Sequence, residues 1–306
     1  MLRYILKRVA STVVILFLIA TVTFFMMRAI PGGPFTRDRA LPPAVEAALN
    51  ERFNLDAPLM EQYKDYMVNL VKLDLGPSFQ KPGVHVNDII AQGFPVSGKV
   101  GGIAAIAVIV LGVPLGIWAA LKKNKFPDYM VSVISTLGIT IPSFVIGTFM
   151  MYVFGERLGW IPAGGLSDWR SYIGPVIAIG GFSLAFVTRL TRSSMLEVTA
   201  QDYIRTARAN GLSRGRIIFK HALKNALIPV VTYIGPMVAS IMTGSFVVEK
   251  IFAIPGMGKY FVESITNRDY TVIMGTTIFY AVFYVIMVLF VDIAYAVIDP
   301  RIKLEQ

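Results

Sequence analysis

The chain contains no cysteine, which excludes disulfides and thiolate metal sites. Histidine is almost as scarce. His85 and His221 are the only two, and neither has a Cys, Asp or Glu neighbour at ligand spacing, so no metal site is expected. Neither lies in a long apolar run, which deprives a membrane-embedded serine hydrolase of its base. No G-x-x-x-x-G-K-[ST] stretch occurs, so nucleotide binding or hydrolysis by a phosphate-cradling loop is not expected here. Charge is sparse as well. Only 16% of the 306 residues are charged against 55% hydrophobic ones, and the mean hydropathy is +0.62, a composition foreign to soluble domains.

The apolar residues are concentrated in six runs, each near the ~20 residues a helix needs to cross a hydrocarbon core. They cover Val9–Ile30, Val96–Leu121, Tyr129–Phe154, Tyr172–Leu190, Ala226–Val248 and Met274–Ile298. Gly112, Pro114, Pro142, Gly180, Gly181 and Pro236 inside them are tolerable, because neighbouring helices can satisfy a locally broken backbone. The expected class is an all-α polytopic membrane protein with six transmembrane helices. The first run follows Arg3, Lys7 and Arg8 as in a signal peptide. It is too long for that, though, and no A-x-A-like site precedes Pro31, so a retained anchor is expected.

The net charge of +10 is distributed in a way that argues for a membrane rather than for nucleic acid. Arg3, Lys7 and Arg8 precede the first run, and Lys122, Lys123 and Lys125 fill the second loop. Eight more basic residues lie between Arg189 and Lys224, and Arg301 and Lys303 follow the last run. If six spans alternate, all of these fall on one side, which places both termini in the cytoplasm. The expected organisation is a first span over 1–30, an extracytoplasmic region over 31–95, a transmembrane domain over 96–298 and a tail over 299–306. Between Pro31 and Pro95, eight acids face six bases. Pro42-Pro43 opens one helix there, Leu59 to Leu73 supports a second, and Asp74 to Ser78 reads as a turn.

Residues 201–225 are where the chain carries a polar, basic device between two apolar runs. Asp202 is expected as N-cap of a short helix over Tyr203–Asn210, with its carboxylate at the positive end of the dipole. Gly211 follows as the residue that most easily turns left-handed, and Ala207 and Leu212 are the pair that meets in a Schellman ending. Ser213 then caps a second helix from Arg214 towards Ile228. Elsewhere, the stretch PSF at Pro142–Phe144 breaks the third span. Glu249–Asp269 brings an acid, a Pro-Gly turn and an amphipathic segment to the outer face. Arg28 is expected to snorkel, and Asp292, inside the last run, to pair with a basic residue or a backbone cap. Asp299-Pro300 is expected to end that helix.

The basic segment resembles the cytoplasmic loop of ABC importer permeases, Glu-Ala-Ala, three residues, Gly, nine residues, Ile-x-Leu-Pro. Gly211, Ala207 and Leu223 match, whereas Arg205 stands for Glu, Thr206 for the first Ala, His221 for Ile and Lys224 for Pro. YIRTARANGL followed by HALKNALIPV is similar to the oligopeptide, dipeptide and nickel branch, above all to the B-type membrane subunits of oligopeptide permeases. The final VDIAYAVIDPRI, the PSF break and the Glu249–Asp269 stretch extend that resemblance over essentially the whole chain.

The resemblance implies one half of a type I ABC importer pore for oligopeptides in a bacterial inner membrane. Dipeptide, glutathione or nickel are the alternative substrates. It implies a coupling helix that meets an ATPase, made of Asp202, Tyr203, Ile204, Arg205, Thr206, Ala207, Arg208, Ala209, Asn210, Gly211 and Leu212. It also implies a homologous second permease subunit, two ATPases that bind ATP and Mg, and an extracytoplasmic peptide-binding protein. This chain would then carry no catalytic residue and no cofactor of its own. A secondary transporter driven by an ion gradient is the reading from another class; it calls for several intramembrane acids or an inverted repeat, and one such acid and no repeat are found.

Overall fold

The computed structural model describes residues 2–35 and 42–298, without the side chains of 2–6, 43, 46 and 291–298. The expectation for Asp292 falls on a side chain that is not described, and those for Asp299-Pro300, Arg301 and Lys303 lie outside the described residues. Everything described is helix, turn or loop, apart from one isolated antiparallel bridge between Pro77 and His85. The helices are α1 Leu2–Ala29, α2 Pro43–Arg52, α3 Leu59–Val71, α4 Val86–Leu121, α5 Phe126–Thr140, α6 Ser143–Phe149 and α7 Ile173–Thr199. They continue as α8 Asp202–Ala209, α9 Arg214–Arg216, α10 Leu223–Ala226, α11 Ile228–Met242, α12 Phe246–Ile251, α13 Met257–Thr266 and α14 Tyr270–Ile298. Short π-helical stretches cover Met150–Arg157 and Ile217–Ala222.

Among the described residues five helical stretches are long and apolar enough to cross a membrane: Lys7–Ala29, Val86–Leu121, Trp169–Thr199, Ile228–Ile251 (α11 and α12 together) and Tyr270–Phe290. The third expected span is not a straight helix. Ile141 is extended (φ −82°, ψ 123°), as the residue before a proline prefers, and the two halves Phe126–Thr140 and Ser143–Arg157 meet at 103°. Counted as one span, this bent pair makes the sixth. The second span also starts earlier than its apolar run, at Val86 rather than Val96. Its first turns contain Asn87, Asp88 and Gln92, which hydropathy alone reads as loop. Val86 and Ile89 are nonetheless buried, packing with Val272.

The chain divides into two compact units, one formed by residues 1–96 and 255–285 and the other by 97–254 and 286–306. In the first, α1 and α3 meet through aromatic rings. Phe24 is buried against Tyr63 and Tyr66, and the Thr21 and Tyr63 hydroxyls lie 2.8 Å apart. The turn after α3 closes on a carboxylate that the sequence did not single out. Asp269, buried just before α14, accepts hydrogen bonds from the Ser78 hydroxyl and from the backbone N–H groups of Phe79 (3.1 Å) and Gln80 (3.4 Å). Ser78 is therefore buried, not a residue of a solvated turn.

In the second unit α4, α7 and α11 share a core of Ala104, Val108, Val187, Val230 and Met237. The helices approach closely where side chains are small. At Gly116 a β-carbon would stand 2.5 Å from the Thr188 carbonyl oxygen, so only glycine permits that crossing. Glu249 is another acid taken inside: it accepts from the Ser97 hydroxyl at 2.6 Å and is only 1% exposed.

Candidate functional site

The basic segment hangs from the end of α7, and its first anchor lies within that helix. Arg192 donates two hydrogen bonds to Asp128 at the start of α5, the Nη2–Oδ2 one at 2.9 Å. Asp128 is buried and also accepts from the Asn124 N–H at 2.9 Å. A buried carboxylate without its cation would cost several kcal/mol, so this pair ties the Lys122–Lys125 loop to α7. The sequence offered no signal for it, since the partners are 64 positions apart.

After Thr199 the chain turns into α8. Its N-cap is Gln201, extended at φ −67° and ψ 151° and without a side-chain cap bond. Asp202 is thus the first helical residue and not the cap. It keeps the favourable place near the dipole's positive end, and its carboxylate accepts from Arg205 at 3.2 Å. The other end agrees with the expectation in detail. Asn210 is the C-cap, and Gly211 takes φ +74°. The Gly211 N–H donates to the Arg208 carbonyl at 3.0 Å and the Leu212 N–H to the Ala207 carbonyl at 3.3 Å. These are the two crossed bonds of a Schellman ending. Nothing lies within 4 Å of a β-carbon built on Gly211, so the demand for glycine is purely conformational.

Ser213 then opens α9 as N-cap through its extended backbone, without a side-chain bond. The expected regular second helix is interrupted at once by the π turn over Ile217–Ala222. This turn puts Ile217, Ile218 and Ala222 inside and leaves Phe219 72% exposed. One extra residue per turn is what allows three apolar side chains to face the same floor.

That floor divides the expected docking residues into two sets. Ile204, Ala207 and Leu212 turn inwards and pack on Ala120, Met195, Ile217, Ile218, Ala222 and Ala226. Full burial of Ile204 contributes about 2 kcal/mol relative to exposure. These three hold the segment to its own chain; Ile204 and Ala207 are buried and closed to any partner, while Leu212 is half-buried. Asp202, Tyr203, Arg205, Thr206, Arg208, Ala209, Asn210 and Gly211 are exposed and form the outward face. Tyr203 adds a strut missed in the sequence: Asn225 Nδ2 donates to its hydroxyl at 2.7 Å, across the corner. The assembly is a basic corner with an apolar inner face and a polar outer one. Among the described residues no three His, Asp or Glu side chains come together where they could hold a metal ion.

Comparison with known proteins gives the family. The model of the binding-protein-dependent transport system inner membrane component matches residues 112–304, and that of the N-terminal part of such components matches residues 1–97. The dipeptide transport system permease protein DppB of Bacillus subtilis is 49% identical over 309 residues, covering 100% of this chain and 99% of that protein. The oligopeptide transport system permease protein OppB of Salmonella typhimurium is 44% identical, covering 99% of this chain and 100% of that protein. Among solved structures, a chain of the MetNI methionine ABC transporter in inward-facing conformations has the same fold, with a TM-score of 0.53. It is 18% identical and covers 69% of this chain and 94% of its own.

Proposed function

Because the chain belongs to the family of binding-protein-dependent transport system inner membrane components, we propose that it forms one half of the translocation pathway of an ATP-driven oligopeptide importer. A homologous second permease subunit supplies the other half, two ATPases bind ATP and Mg, and an extracytoplasmic binding protein delivers the peptide. The chain crosses the bacterial inner membrane with both termini and the basic segment in the cytoplasm. The observation that carries this reading is the α8 corner. Its inner face is packed on its own chain and its outer face is exposed, as a lever that must be gripped from outside requires. ATP-driven closure of the ATPases moves α8, the floor of Ala120, Met195 and Ala226 transmits the motion, and the helices reorient in alternating access.

Relatives with oligopeptide and with dipeptide names both match over full length. A dipeptide substrate is the second reading, and the 49% identity to a dipeptide permease favours it. Uptake into proteoliposomes containing the whole complex decides between them. Labelled tri- to pentapeptides should enter with ATP and compete out dipeptides, whereas exclusive dipeptide uptake selects the second reading. Two ATPase chains should co-purify with this one, and their absence overturns both. The lack of cysteine makes orientation testable without background. Glu61→Cys should react with an impermeant maleimide outside cells, and Ser213→Cys only after the membrane is opened.

A further inference from the structure

Beside the Gly211 corner opens a cavity of about 440 Å³, between the ends of α4 and α7 and the start of α9. Leu121, Leu212 and Ile218 give it an apolar wall, while Arg208 and Arg214 supply two guanidinium groups. Among the described residues no carboxylate lines it, and neither arginine belongs to a described ion pair. Thr199 also lines it, but its hydroxyl proton is already donated to the Met195 carbonyl at 2.8 Å. The donors left for a ligand are therefore cationic and forked, suited to an oxyanion held by paired hydrogen bonds.

The cavity's place in the chain narrows the source of that anion. Leu121 ends a membrane-crossing helix and is followed at once by Lys122 and Lys123, so on that side the cavity meets the point where apolar helix gives way to charged loop. Thr199 lies in the polar last turns of α7, beyond Arg192 and Glu197. The neighbouring chain carries large exposed aromatics, Trp118 before Leu121, Phe126 and Tyr129 at the start of α5, and Phe219 after Ile218. Exposed tryptophan and tyrosine rings, here Trp118 and Tyr129, mark the boundary between hydrocarbon and headgroups. We propose that the cavity holds an anionic glycerophospholipid, its phosphate on Arg208 and Arg214 and its first acyl carbons over Leu121, Leu212 and Ile218. Basic pockets between helix ends at a membrane surface bind such headgroups. A free phosphate leaves the apolar wall unused. A zwitterionic lipid brings a cation towards two others.

Leu212 gives the cavity a structural consequence. It is the residue whose N–H closes the Schellman ending, and its side chain joins the floor beneath α8. A lipid against it stiffens the corner from behind. The effect of lipid on coupling rests on the transport reading given above, but the binding itself does not.

The test uses the full chain, with whatever partners co-purify, in nanodiscs of phosphatidylcholine with graded phosphatidylglycerol. Lipid retained on the released protein is read by native mass spectrometry, without ATP or peptide. Phosphatidylglycerol should be retained in preference to phosphatidylcholine. Arg214→Ala should lower its apparent affinity about fivefold, the loss of one basic contact, and Arg208→Ala with Arg214→Ala about twentyfold or more. Arg214→Lys should fall between, and Arg216→Ala, which does not line the cavity, should match wild type. Equal retention of both lipids, or retention unchanged in Arg214→Ala, overturns the proposal. So does displacement of the lipid by millimolar inorganic phosphate, which would identify a simple anion site. If Arg214→Cys crosslinks to an ATPase subunit while lipid retention stays at the wild-type level, the occupant is protein and the proposal fails. Failure of peptide uptake with lipid retention intact would count against the transport reading alone.

Discussion

Two corners of this protein solve the same problem by different physics. At Gly211 a short helix is stopped and redirected by its own backbone, through two hydrogen bonds that span no more than five residues. At Ser78 a turn is held by Asp269, a carboxylate 191 positions away, buried with four donors aimed at it. The basic corner keeps its charged side chains outside and rests on an apolar floor; the acidic one takes its charge inside and covers it with N–H and O–H groups. Under the proposed function the basic corner is gripped by another chain, and a corner with that task keeps its polar face free. A corner that only holds its own unit together can bury that face. The consequences of mutation should differ accordingly.

The largest effect is expected at the acidic corner. Asp269→Ala leaves the buried Ser78 hydroxyl without its acceptor and takes one from the half-buried Phe79 N–H, a loss of roughly 2 kcal/mol or more. Limited proteolysis should cut within residues 78–85 and thermal inactivation should move to lower temperature. Wild-type protease resistance of that turn would show that the carboxylate is dispensable and erase the contrast.

Gly211→Val comes next. A β-branched residue at φ +74° costs more than the ~1 kcal/mol of an ordinary left-handed residue, yet the floor under α8 remains. Protein abundance should survive while ATPase association and uptake fall severalfold. Gly211→Asn should stay near wild type, because asparagine tolerates this conformation. Equal damage from valine and asparagine would point to lost space, not to backbone geometry.

A smaller loss is expected for Tyr203→Phe, which removes the strut from Asn225 at a partly exposed site, about 0.5–1 kcal/mol. Hydrogen exchange of the α8 amides should quicken without loss of the helix. Asn225→Ala should reproduce the change, and the double variant should add nothing. Additive losses would mean that the two side chains act separately.

The smallest effect belongs to a third corner, at Asp168. Its carboxylate accepts from the Ser171 N–H and hydroxyl, both near 3 Å, and the Ser171 hydroxyl in turn receives the Asp168 N–H. Desolvation acts to raise the carboxyl pKa, but the bonds from Ser171 and Arg170 outweigh it and hold the group below the usual 3.8. A depressed acid stabilises the fold above its unfolded pKa and loses that contribution as pH falls through the folded value. The turn at Asp168–Tyr172 should therefore loosen only below about pH 4, the ordinary carboxylate range. Faster exchange at the Ser171 amide on acidification would report it, and Asp168→Asn should remove the pH dependence. A transition near neutral pH would assign the titration to another group.

How far each corner could be read from the sequence follows from the same contrast. Gly211, Asn210, Ala207 and Leu212 announce a Schellman ending because every partner lies within a few positions and glycine takes that φ more cheaply than any residue with a side chain. The N-cap was misplaced by one residue, since Gln201 provides the extended geometry without a cap bond and composition alone favours Asp202. The split of α8 into an inward set and an outward set needed the floor of Ala120, Met195 and Ala226, which come from three other stretches of chain. The π turn at Ile217–Ala222 left no mark in the residue pattern, because it answers to that floor.

The sequence by itself determined the membrane class, the proline break at Pro142 and the glycine corner, for these depend on solvent transfer and on backbone preference within a few residues. Tertiary structure alone decided the early start of α4, the 103° bend between α5 and α6, and the partners of Asp128, Glu249 and Asp269. A buried carboxylate costs the same to desolvate wherever it stands in the chain. Which donors repay that cost is settled only when distant helices bring them within hydrogen-bond reach.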